Sequence, residues 1–79
     1  MNLYLLTQTE VTGYDTFDSI VVCAPNEDVA RNMDPFSGEP CDWTNYCWAM
    51  RPASITVTLL GVALPSVKQG IVCSSFNAG

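Results

Sequence analysis

SIVVCAPNEDVARNM, residues 19–33, changes character at Pro25, and that change decides the fold class. Residues 19–24 are β-branched or small and lie between Asp18 and Pro25, which reads as a strand. Beyond the proline, Asn26 is placed to cap free backbone N–H groups, and Glu27 and Asp28 suit the positive end of a helix dipole. Val29 and Met33 stand four apart and would face a sheet. The helix must be short, because Asp34 precedes Pro35 and a residue before proline is pushed out of helical geometry.

Alternating patterns extend this reading in both directions. NLYLLTQ (2–8) reads as a first strand with Leu3 and Leu5 on one face and Tyr4 and Leu6 on the other, so both faces are apolar. A connection of about ten residues, TGYDTFDS at its heart, leads to the second strand. There Gly13 permits a positive φ, Asp15 and Asp18 suit local turn bonds, and Tyr14 or Phe17 would anchor the loop to the core. SITVTLLGVAL (54–64) sets Ile55, Val57 and Leu59 against Thr56 and Thr58, and GIVCSSF (70–76) follows the turn-prone LPSVKQG. The order β-β-α-β-β predicts an α+β fold: one domain, residues 1–79, with a small antiparallel sheet of three to four strands and one short helix packed on it. Residues 35–52, PFSGEPCDWTNYCWAMRP, carry three of the five prolines, both tryptophans, Tyr46 and two cysteines, and read as a packed lid or a binding surface.

At 79 residues there is room for one core and little interior to spare for a deep catalytic cleft. Apolar residues at 48% and charged residues at 14% place the chain among ordinary globular proteins. Its apolar runs are too short for a membrane helix, and MNLYLLTQTE lacks a basic segment and a small-residue cleavage site, so a soluble, unexported protein is expected. The net charge of −5 is unevenly spread. All eight carboxylates lie in the first 42 residues with Arg31 as the one cation, giving −7, while the remainder holds Arg51 and Lys68 and no acid, giving +2. Such a surface repels nucleic acid and favours a basic partner; solubility alone also accounts for an acidic surplus.

Catalytic patterns are missing. The chain has no His, no G-x-S-x-G and no Cys–His pair, so a Ser or Cys nucleophile would lack the usual base, and no loop is built to cradle phosphate. Asp15 and Asp18 approach a general acid/base pair, but a turn entering a strand uses Asp for the same positions. No catalytic, cofactor or metal residue is assigned. Among Cys23, Cys41, Cys47 and Cys73, the C-x5-C spacing does not suit zinc; Cys23 and Cys73 sit in strands as small buried hydrophobes, and a Cys41–Cys47 bridge is an alternative for the other two. Trp43, Tyr46 and Trp48 fit either an interface or the filling of a small core.

LYLLTQ, GYDTFDSIVV, NEDVARNMDP and the closing SSFNAG together resemble a family of short phage and prophage proteins with a LYLLTQ-like strand, a GYDTYDS segment, an acidic helix and a terminal SFNAG. The likeness covers both ends and the first helix, about half of the chain. This chain departs from the pattern with VAR and MDP in place of EAR and IHP, and the segment from Pro40 to Arg51 has no counterpart. The resemblance implies a phage setting in the host bacterial cytoplasm and supplies no catalytic residues. In that setting a short acidic protein without catalytic groups is similar to anti-CRISPR proteins, and the expectation is a stoichiometric inhibitor of a CRISPR surveillance complex, of type I, acting on its basic surface as a DNA mimic. Glu27, Asp28, Asp34, Glu39 and Asp42 are the expected electrostatic contacts, with Trp43 or Trp48 as the apolar anchor and a monomer or weak dimer as the oligomeric state. An accessory protein that binds another host or phage protein is the alternative, and a metal or thiol module on the four cysteines a third.

Overall fold

The computed structural model describes residues 1–44 and 47–77. Four strands, β1 (Asn2–Thr7), β2 (Thr16–Ala24), β3 (Thr56–Val62) and β4 (Gly70–Asn77), form one antiparallel sheet in the order β3-β1-β2-β4. Between β2 and β3 the described residues form one short helix, α1 (Glu27–Arg31), and a 3-10 turn at Pro52–Ser54 outside the pattern the sequence predicts. The β1–β2 hairpin occupies the centre, and the two later strands flank it as edges.

Cross-strand partners in an antiparallel pair point to the same face, so the register sorts the sheet into two sides. Val57, Leu6, Ile20 and Ser74 make one row on the covered side, and Leu59, Tyr4, Val22 and Ile71 the next. The opposite side carries Thr56, Thr7, Ser19 and Ser75, then Thr58, Leu5, Val21 and Cys73, without a charge. The helix and the segment after it lie over the first side. Ala30, Met33, Trp48, Ala49 and Ile55 join Tyr4, Leu6, Phe17, Ile20, Val22 and Ala24 in one buried cluster. Val29 and Met33 thus face the sheet, although α1 stops at Arg31 and Met33 instead forms a bridge with Pro40.

Local chemistry explains the element ends. Asn26 caps α1 through its side-chain oxygen, which accepts from Val29 N at 2.9 Å. At the other end Asn32 N and Asn32 Nδ2 both donate to Asp28 O, closing the helix. Strand β2 begins at Thr16, earlier than alternation suggests, because the register shifts between Phe17 and Ser19 and hides the period-2 pattern.

The connection into β2 is held differently from expectation. Gly13 does take a positive φ of 110°, but the turn is closed by Gln8, whose buried amide donates to Val11 O and Phe17 O and accepts from Val11 N, and by Thr16 Oγ1 donating to Gly13 O at 2.9 Å. Asp15 contributes its backbone: it adopts φ 59°, which Asp tolerates, and its N–H donates to Asn77 O. The Asp18 carboxylate accepts from the adjacent Ser19 hydroxyl at 3.3 Å, and its backbone carbonyl from Gln8 N at 3.3 Å. Phe17 is the anchor, while Tyr14 is exposed.

Cys23 is buried as expected, whereas Cys73 is exposed because β4 is an edge strand. Cys41 keeps a free thiol, so the Cys41–Cys47 bridge is not formed. No helix among the described residues is long and apolar enough to cross a membrane.

Candidate partner-binding surface

Residues 27–42 carry five carboxylates and one guanidinium, a net charge of −4, and form the layer over the covered side of the sheet. Glu27 and Asp28 are exposed in the first turn of α1. The cation of this segment is turned to structural use. Arg31 Nη1 donates to Pro52 O at 3.2 Å and to Ile55 O, and only a loose 3.8 Å contact links Arg31 to Glu27. An exposed ion pair of that length contributes little, so Glu27 keeps most of its field outward.

Asp34 and Glu39 are brought together by a tight loop. Asp34 Oδ1 accepts from Phe36 N at 2.8 Å and Ser37 N at 3.2 Å, Asp34 N donates to Glu39 O, and Gly38 N donates back to Asp34 O. This is the Asx-turn chemistry that makes Asp a natural loop opener. Gly38 has φ 75°, and a Cβ there would stand 3.4 Å from Gly70 Cα, so the loop is seated directly on the start of β4. Asp42 accepts from Thr44 N and Thr44 Oγ1; the backbone bond first and the hydroxyl second hold its carboxyl below the usual aspartate range.

The two tryptophans separate. Trp48 is fully buried beside Phe17, so it is core and not a surface anchor; a small domain without enough aliphatic bulk needs the large ring inside. Trp43 is half-buried, packed against the core with φ 63°. Tyr46 lies outside the described residues. Sequence reasoning passed over Phe36, which is 62% exposed at the tip of the Asp34–Glu39 loop with its ring edge-on to Phe17 at 4.9 Å. The signal was available in DPFSG, a proline turn that lifts the aromatic after it.

A second polar knot lies outside this layer. Glu10 accepts from Met50 N at 2.7 Å, from Arg51 Nε and Nη2 at 3.1 and 2.9 Å, and from Ser54 Oγ at 2.9 Å. These bonds, that from Met50 N foremost, lower its pKa. Glu10 is therefore spent on tying the end of the lid to the β1–β2 connection, and Arg51 with it. Burial, first, and the neighbouring Asp34 and Asp42 push the Cys41 thiol up against an opposing bond from Trp43 N, which keeps it protonated and a poor nucleophile. No group of three His, Cys, Asp or Glu side chains among the described residues is arranged to hold a metal ion. No family model, curated protein or solved structure matches the chain.

Proposed function

We infer that this chain is a phage-encoded anti-CRISPR protein, a non-enzymatic inhibitor that binds one-to-one to a type I surveillance complex in the host cytoplasm and occupies the basic surface that grips target DNA. The observation that supports this reading is the disposition of charge in the layer 27–42. Glu27, Asp28, Glu39 and Asp42 are exposed and Asp34 is half-buried beside them, while Arg31, the cation of that segment, bonds inward to Pro52 and Ile55 carbonyls. Carboxylates held on a packed layer can pair with Arg and Lys side chains that serve phosphate, which gives fast, salt-sensitive association. Phe36, between Asp34 and Glu39, takes the role of apolar anchor.

The test is a gel-shift titration of target duplex against purified type I complexes, pre-incubated with the protein under reducing conditions at two salt concentrations. Loss of DNA binding near equimolar protein, weaker at the higher salt, is the expected result. The double variant Glu27→Lys, Asp28→Lys should keep its circular dichroism and lose at least about tenfold in affinity, about 1.4 kcal/mol. Unchanged DNA binding with no co-migration on a sizing column would remove this mechanism for the complexes tested and leave an accessory protein with another host or phage partner.

A further inference from the structure

The edge strand β3 and the turn after it leave a corner of the molecule uncovered. Leu59 is 60% exposed, Leu60 53%, Val62 81%, Leu64 72% and Met1 49%, half of the large apolar side chains that stand open among the described residues. They are gathered by the fold: Val62 pairs with Asn2, Ala63 N donates to Met1 O at 2.9 Å, and Leu60 is the extra residue where the register shifts between Leu3 and Tyr4. Together they expose on the order of 500 Å2 of apolar surface, the upper end of what a lone soluble domain leaves in water.

The outer rim of β3 is open as well. Its inner side pairs with β1, and no backbone partner lies on its outer side among the described residues. An unpaired strand with apolar side chains and neither proline nor charge is a template for another strand. The other edge is approached at its start, where Gly38 packs against Gly70 of β4.

Charge selects the occupant. Residues 52–67 form the longest uncharged run in the chain, whereas the other layer of the molecule carries the carboxylates. Two copies at −5 each repel least where neither presents an acid, and an antiparallel pairing of β3 with itself meets that condition at the contact, its two-fold axis perpendicular to the sheet and the two acidic layers side by side on one face. We propose that the chain forms a two-fold dimer through β3, joining two four-stranded sheets into one of eight and covering the Leu59, Leu60 and Val62 corner. Complete burial of the whole corner, about 500 Å2 from each copy, would set an upper limit of about 1,000 Å2, the lower bound of a specific interface, so the dimer is weak and concentration-dependent.

Sedimentation velocity on the full chain tests this, from about 1 μM to about 1 mM under reducing conditions that keep the exposed Cys73 from cross-linking. The mass should rise from 8.6 kDa to twice that value across the range. Val62→Glu and Leu60→Glu each place an acid on the rim without touching the core, and each should weaken the dimer at least about tenfold while leaving the circular dichroism unchanged. Val72→Glu, on β4, should leave it intact. A mass fixed at 8.6 kDa at every concentration overturns the proposal. So does a dimer that survives both β3 variants, or growth past the dimer, which belongs to a head-to-tail contact.

Discussion

Replacing Trp48 separates the packing of a side chain from its polarity. The indole is fully buried, edge-on to Phe17 with centroids 6.5 Å apart, and its Nε1–H has no acceptor among the described residues. Truncation to Ala removes the ring and leaves a void, and losses of this kind cost about 3–5 kcal/mol. A 79-residue domain has a total stability of about 4–12 kcal/mol, so Trp48→Ala should remove at least about a quarter of it. Trp48→Phe behaves differently. It gives up about 40 Å3 of ring, which at ~24 cal/mol per Å3 of cavity costs about 1 kcal/mol, with about 1 kcal/mol more for lost transfer. It also removes a buried donor without a partner, which relieves about 1–3 kcal/mol. These terms nearly cancel, so Trp48→Phe should lie within about 1 kcal/mol of the parent. Urea unfolding followed by far-ultraviolet circular dichroism measures both variants, since Trp43 complicates fluorescence. A cost above about 3 kcal/mol for Phe, or below about 1 for Ala, would refute the placement of an unpartnered indole in the core.

Two further perturbations probe the ties around the lid. Because hydrogen bonds depress the pKa of Glu10 in the folded state, its contribution to stability is present above the ordinary glutamate range and is lost as pH falls through the depressed value. Urea midpoints from pH 6 down to about 2 should therefore fall less steeply in Glu10→Gln than in the parent, and identical slopes would contradict the knot. Gly38→Ala meets both a positive φ of 75° and Gly70 Cα at 3.4 Å, and should cost about 1–3 kcal/mol in the same unfolding assay; a neutral result would mean the loop is not seated on β4.

The strands were legible because alternation survives wherever one sheet face is covered, and the helix because Asn26, Glu27 and Asp28 mark its start. Alternation tells which side chains share a face and says nothing of what covers them. Val57 and Leu59 fall on one face as their spacing requires, yet Ile55, just ahead of the strand, is buried under the lid while Leu59, past its reach, stands in water. The same limit hid Cys73: its strand was readable and its position at the edge was not, because strand order is decided by pairings distant in sequence. Trp48 was ambiguous because the lid has no period. Its burial depends on Phe17 and on the bond from Phe17 N to Cys47 O, neither of which sequence spacing encodes. For the acids, the sequence showed their crowding into one half but not that Glu10 is diverted into the knot with Arg51.

The bonds from Arg31 to Pro52 and Ile55, and from Glu10 to Met50, Arg51 and Ser54, bear on which parts of the molecule open together. Each spans 21 or more residues, and all their distal partners sit within a few positions of the start of β3. All these partners precede β3, so closing either latch places the start of β3 beside the free side of the β1–β2 hairpin. The lid and the start of β3 should thus be protected from hydrogen exchange together, as one cooperative unit. The acidic layer belongs to that unit, and a chain in which the unit has opened would carry the charges without the arrangement.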